Sequence, residues 1–208
     1  MSLSETLWRE NRELALASLN NPFVQGIRDG SLDPRRFSYY VGQDAFFLKA
    51  FARAYVIAGA KARDWEDFVQ LHQLAAGVFG ELKLHSGYAE RWGVDLVHVE
   101  VAAATRRYTD FVMATAWGYG AGLTVTALTP CMRLYAWLGR QLADSHPPEH
   151  RYSDWIRTYS GLEIEDLAVQ LEALVDKYAA DDPATRGIYR YAMECERDFF
   201  QAAFDSLA

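Results

Sequence analysis

The feature that most limits the fold is a helical apolar period running through almost the whole chain, with no strand-like alternation of any length. The breaks between apolar stripes carry helix punctuation. A first helix is expected from about Leu3 to Leu19, ending before Asn20-Asn21-Pro22, and Asp29-Gly30 then marks a turn. Asp33-Pro34 reads as an N-cap followed by proline at the first helical position, opening a helix to about Lys61. Asp64 is expected to cap the next helix, which ends near Trp92-Gly93. Another is expected from about Val99 to the loop Gly118-Tyr-Gly-Ala-Gly122. It is followed by one from Leu123 to about Asp144, stopped by His146-Pro147-Pro148. A short segment from Tyr152 to Tyr159 leads to an amphipathic helix with Leu167, Leu171, Leu174, Val175 and Tyr178 on one face. Asp182-Pro183 repeats the cap-plus-proline signal and opens the last helix. No linker or repeat interrupts the series, so the expectation is one all-α domain over residues 1–208, a single helical bundle.

Composition narrows the partners. A net charge of −7 and a pI near 5.2 argue against a nucleic-acid partner and give no reason to expect an anionic membrane surface. No run approaches the roughly 20 apolar residues of a membrane span. The N-terminal segment is polar, without the apolar core of a signal peptide. Two cysteines, Cys131 and Cys195, cannot form a disulfide framework. The expectation is a cytoplasmic protein with both thiols reduced.

Helical phase then separates reactive side chains by the face they occupy. Phe37, Tyr40, Val41, Phe47, Leu48 and Phe51 form one stripe, and Asp44 falls inside it. A carboxylate there is costly unless it is paired or hydrogen-bonded, so it either bonds a neighbouring helix or serves a site. Cys131 lies on the inward stripe of Leu128, Tyr135, Leu138 and Leu142, where a thiol on its own is most simply a small hydrophobe. Pro130 precedes it and leaves the Thr126 carbonyl without its helical donor, so a kink is expected beside the thiol. In the last helix Glu194 shares a face with Arg190, Arg197 and Gln201 and is expected to be solvated. Glu196 shares a face with Tyr189, Ala192, Phe199 and Ala203 and points inward. Cys195 reads as structural. A thiol and two carboxyl groups on three inward faces suggest nucleophilic catalysis with acid–base help.

These residues and their surroundings resemble the TenA family, the thiaminase II aminopyrimidine aminohydrolases. The resemblance lies in Asn21-Pro-Phe-Val-Gln-Gly-Ile-Arg-Asp-Gly30, Tyr39-Tyr-Val-Gly-Gln-Asp44, Tyr108 with Thr109, Thr129-Pro-Cys131 with Tyr135, Trp155-Ile-Arg-Thr-Tyr159, and Glu196 before Phe199-Phe200. Pro-Cys131 is similar to the family's cysteine-containing branch. The resemblance implies a haem-oxygenase-like bundle, a homotetramer, a small pyrimidine substrate and no metal or organic cofactor. It implies Cys131 as the nucleophile that adds to the pyrimidine ring and Glu196 as the acid–base group for the leaving amine and incoming water. Asp44 is implied as the carboxylate that binds the amino-pyrimidine edge and helps position the thiol. Phe47, Tyr108, Tyr135 and Tyr159 are implied as substrate-binding residues. Phe47 stands where Tyr is also frequent and Phe200 where Trp is usual, which leaves substrate preference open.

The remaining signals are weaker. Glu81 and His85 sit one helical turn apart, but a dinuclear helical site needs several such groups and the last helix has no His. A haem site needs an axial ligand, and with His72 the first histidine the N-terminal helix cannot supply one. The Gly118–Gly122 loop has no preceding strand and is no phosphate cradle. The competing readings are a non-catalytic pyrimidine-binding or regulatory protein, which would need neither Cys131 nor Glu196, and a metal-dependent oxygenase.

Overall fold

Three times along the chain an Asn or Asp precedes a proline and starts a helix. Asn21 accepts from the Phe23 amide at 2.9 Å, Asp33 from Arg35 at 2.8 Å, and Asp182 from Thr185 at 2.8 Å. In the computed structural model, residues 1–207 are described, with the side chains at positions 83–86 and 88 outside the description. The helices are α1 (Leu3–Glu10), α2 (Arg12–Leu19), α3 (Pro22–Asp29), α4 (Pro34–Ala60), α5 (Trp65–Trp92), α6 (Ala103–Gly118), α7 (Ala121–Ala143), α8 (Ser153–Ser160), α9 (Leu162–Tyr178) and α10 (Pro183–Asp205).

Several boundaries differ from the sequence expectation, each for a local reason. The expected first helix is two, because Asn11 leaves helical geometry (φ −109°, ψ 17°) while its amide donates back to the Leu7 carbonyl at 2.8 Å. Helix α3 is an addition, started by the Asn21-Pro22 cap. Asp64 occupies the N-cap position of α5 but makes no cap; its carboxylate pairs with Lys177 at 2.9 Å. Gly93 ends α5 in the left-handed region (φ 66°), as the sequence led us to expect. Helix α6 begins at Ala103 rather than near Val99, leaving residues 93–102 as a connecting strap. Helix α7 runs unbroken through Pro130, and its buried Thr124, Thr126 and Thr129 satisfy their hydroxyls on the carbonyls of Gly120, Gly122 and Val125.

Helices α4 and α7 form the centre. Helix α4 packs against α5, α6 and α7, and α7 packs in turn against α8, α9 and α10. One hydrophobic core draws on all ten helices, with Phe51, Tyr55, Leu128, Leu134 and Phe200 among its fully buried members. Close approach of α7 to α8 depends on Gly139, where a Cβ would overlap the Tyr159 carbonyl and the Ser160 nitrogen. On the far side of α7 from Cys131, Arg133 bridges Glu165 at 2.8 Å and Glu172 at 2.7 Å, tying α7 to α9. Among the described residues no helix is long and apolar enough to cross a membrane.

Candidate active site

Four helices each send side chains to one small cavity in the core. Helix α4 contributes Asp44 and Phe47, α6 Tyr108, α7 Cys131 and Tyr135, and α10 Glu196 and Phe199. The spacings explain the pairs: residues three or four apart on a helix lie on one face, so Asp44 brings Phe47, Cys131 brings Tyr135, and Glu196 brings Phe199. Tyr159 is placed differently from the other expected residues. It stands one ring out, with its centroid 4.8 Å from that of Tyr135, and its hydroxyl donates to Glu81 at 3.0 Å. His85, the other half of the Glu81 pair, lies outside the described residues. Glu194 sits on the outer face of α10, paired with Arg190 at 3.2 Å. Cys195 is buried beside Arg107 on the far side of Glu196, and burial pushes its thiol up to about 12.

The cavity is electrostatically unusual because its polar groups are almost dry. Glu196 is 2% exposed and Asp44 is 5% exposed. Burial raises the Glu196 carboxyl to about 7, against the Tyr108 hydrogen bond and the nearby Cys131 thiol, which favour its ionised form; the Asp44 charge adds to the rise. The Tyr108 hydroxyl donates to Glu196 Oε1 at 2.8 Å. The Cys131 thiol lines the same cavity and also favours the ionised carboxylate. Burial, with the neighbouring charges of Glu196, Asp44 and Glu81, holds Cys131 well above the ordinary thiol range. The resting sulfur is therefore a protonated thiol with a carboxyl group in the same cavity. A carboxyl near neutrality is suited to take a proton and return it, which is the requirement for general acid–base work at pH 7.

Aromatic rings enclose these groups. Phe47 lies 4.6 Å from Tyr108 and 6.3 Å from Phe199, centroid to centroid, and Tyr135 packs 5.5 Å from Phe200. A polar chain runs behind Tyr135. The Trp155 indole donates to the Tyr40 hydroxyl at 3.4 Å, and Tyr40 donates to Tyr135 at 3.3 Å. An indole N–H can only donate, so the Tyr40 hydroxyl accepts from Trp155 while it bonds Tyr135. Tyr40, Trp155, Glu81 and Phe199 were not among the expected site residues. Tyr40 had a sequence signal, one turn before Asp44 in the same stripe. Trp155 stands in a segment that resembles the family and Glu81 one turn before His85, but neither signal points to this cavity, because their contacts cross between helices far apart in sequence.

Comparison with known proteins identifies the family of the chain. The TENA/THI-4/PQQC family profile matches residues 8–206. The Bifunctional TH2 protein, mitochondrial, of Arabidopsis thaliana is 34% identical over 97% of this chain, which spans 37% of that protein's length. The aminopyrimidine aminohydrolase of Halalkalibacterium halodurans is 28% identical over 99% of this chain and 96% of its own. A TenA homologue from P. horikoshii OT3 superposes with a TM-score of 0.92 at 23% identity, covering 99% of both chains, which establishes a shared fold. The bundle is of the haem-oxygenase-like class expected from the sequence. With nearly its whole length matched and its fold shared, the chain belongs to the TENA/THI-4/PQQC family.

Proposed function

We propose that this chain is an aminopyrimidine aminohydrolase of the thiaminase II type, with Cys131 as its nucleophile. The observation that carries the reading is that the Cys131 thiol and the buried Glu196 carboxyl, held by Tyr108 at 2.8 Å, line one cavity. The relatives named aminopyrimidine aminohydrolase support the substrate class.

In this reading a flat pyrimidine packs against the rings of Phe47, Tyr108, Tyr135 and Phe199, which move apart to admit it, because the cavity they line holds only about 10 Å³. Stacking of this kind contributes about 1–3 kcal/mol per ring. Asp44 accepts from the amino-pyrimidine edge and helps place the thiol. Ionised Glu196 takes the thiol proton as the sulfur adds to a ring carbon beside the 5-methylene. Glu196 then returns that proton to the amine, which leaves as ammonia while the ring electrons form an exocyclic methylene. Water adds to that methylene and gives a proton to Glu196. The sulfur departs and is reprotonated by Glu196, leaving 4-amino-5-hydroxymethyl-2-methylpyrimidine. Atoms balance as amine plus water giving alcohol plus ammonia, and no step calls for a metal or organic cofactor. Tyr159 acts from one layer out, holding the Tyr135 ring. The activity would salvage the pyrimidine half of thiamin, with cleavage of thiamin itself as a related reaction.

The same reading takes residues 1–208 as one domain, in the cytoplasm, assembled as a homotetramer. Free, buried Cys131 and Cys195 suit a reducing compartment. A groove of about 450 Å³ between α4, α5 and α6, lined by exposed Val56, Phe79 and Trp117, supports assembly. Light scattering of the purified protein tests the tetramer, and a monomer at micromolar concentration contradicts it. The function is tested by measuring ammonia release from 4-amino-5-aminomethyl-2-methylpyrimidine and loss of thiamin side by side. Turnover of the aminopyrimidine is the expected result. Binding of that compound without ammonia release contradicts the hydrolase.

A further inference from the structure

Gln43 immediately precedes Asp44, and its side chain faces away from the cavity into the seam between α4 and the start of α6. It is 3% exposed and makes three hydrogen bonds. Its Nε2 donates to the Glu100 carbonyl at 2.9 Å. Its Oε1 accepts from the Ala102 amide at 3.0 Å and from Thr105 Oγ1 at 2.6 Å. A backbone amide can only donate and a carbonyl can only accept, so these partners settle which end of the amide is which. Ala102 is the N-cap residue of α6 and has no side-chain oxygen to cap with. Gln43 from the neighbouring helix therefore fixes the entry and axial register of α6. Thr105 is 1% exposed, and Tyr108 follows it one turn later on the same face.

We propose that Gln43 is a positioning residue for the reaction: by pinning Ala102 and Thr105 it sets the phase of α6 and so holds the Tyr108 hydroxyl on Glu196. The proposal rests on the reading of Glu196 as the acid–base group. The groups facing Glu196 are Asp44 from α4, Tyr108 from α6, and Cys131 and Tyr135 from α7. Of these, Tyr108 is the one whose place depends on the start of α6. A Tyr108 that drifts from Glu196 withdraws a hydrogen bond that favours the carboxylate.

The test is Gln43→Met, which keeps the length of the side chain and removes its hydrogen bonds, measured alone and in a Tyr108→Phe background. Expected alone are a fall of about tenfold in kcat and an upward move of the acid limb of the pH–rate profile. In the Tyr108→Phe background the same change should cost less than about twofold, because contacts acting through one residue are non-additive. Equal losses in both backgrounds, or an unmoved acid limb, overturn the proposal. If Gln43→Met does not fold, Thr105→Val removes one of the three bonds and should show the same coupling in smaller measure, with Thr105→Ser recovering most of the loss. Failure of the functional reading is separately visible. If the wild-type protein releases no ammonia, the Glu196 carboxyl can still be titrated by carbon NMR in labelled protein. A Glu196 midpoint that rises in Gln43→Met upholds the positioning role without turnover, and an unchanged midpoint rejects it.

Discussion

Tyr108 and Glu196, 88 residues apart in sequence, meet through a 2.8 Å hydrogen bond inside the bundle, with the tyrosine as donor. The Cys131 thiol lines the same cavity and, like the phenol, favours the ionised carboxylate. That arrangement opposes burial and keeps the group close to neutrality.

Removing the phenol should therefore move the titration in a known direction. The Tyr108 bond favours ionised Glu196, so Tyr108→Phe raises a carboxyl that already sits at about 7. Activity that needs the carboxylate should shift its acid limb to higher pH, with a loss of roughly tenfold or more at pH 7 and partial recovery at pH 8.5. A pH series of kcat/KM checks this.

Stability should depend on pH through the same group, with a sign opposite to that of most carboxylates. Glu196 has a folded value of about 7 against an ordinary value of 4.5, so the folded state holds its proton more tightly. Its contribution is fully present below pH 4.5 and is lost as pH rises through 7, a change of about 3 kcal/mol. Glu196→Gln should therefore be close to wild type in stability near pH 5 and more stable near pH 8. Denaturant midpoints at the two pH values measure it.

Cys131→Ala should abolish ammonia release while the fold persists. The side chain is small and 9% exposed, and its removal should cost about 1 kcal/mol. Circular dichroism and a melting curve establish the fold; full activity in this variant removes Cys131 from the mechanism.

Phe47 should act on binding more than on chemistry. Its ring packs against Tyr108, Phe51 and Phe199 and carries no polar atom. Phe47→Leu should raise KM by about tenfold, in the range expected for a lost stacking face, with kcat changed much less. Phe47→Tyr places a hydroxyl among dry polar groups and should alter the ratio of aminopyrimidine to thiamin turnover. Steady-state kinetics on both substrates separate these outcomes.

Gly139→Ala should damage the fold from outside the cavity. Its Cβ would meet the backbone of Tyr159 and Ser160, which has no rotamer with which to yield. Overpacking typically costs about 1–3 kcal/mol, and a backbone clash belongs at or above the top of that range. A melting curve gives the loss, and displacement of Tyr159 should lower activity even in the folded fraction.

The long helices and most of the site were legible because both follow helical phase. Asp44, Cys131 and Glu196 each sat on a stripe whose inward face could be read directly, and the cavity contains all three. Phase shows a direction but no depth, so the meeting of the three required the fold, and Tyr159 turned out to stand behind Tyr135. The late start of α6 was hidden for a similar reason. The helix is expected from about Val99, but Gln43, about 60 positions upstream, takes up the backbone groups of Glu100 and Ala102. The break at Asn11 was local but ambiguous, since Asn is tolerated inside helices until its amide turns on its own backbone.

Lys61, just past the end of α4, donates to the carbonyls of Ala116, Trp117 and Tyr119 at 2.5–3.1 Å. Gln43 near the start of α4 holds the other end of α6, so the two helices run parallel and are fastened to each other at both ends. Each residue inserted or deleted between the fastenings shifts one anchor by about 1.5 Å along the axis and about 100° around it. One clasp or the other must then open. Relatives that keep both clasps should therefore show no insertions or deletions between residues 43 and 61 or between 102 and 119. Length variation should collect instead in segments such as 93–99 and 144–149, which an alignment of family sequences can show.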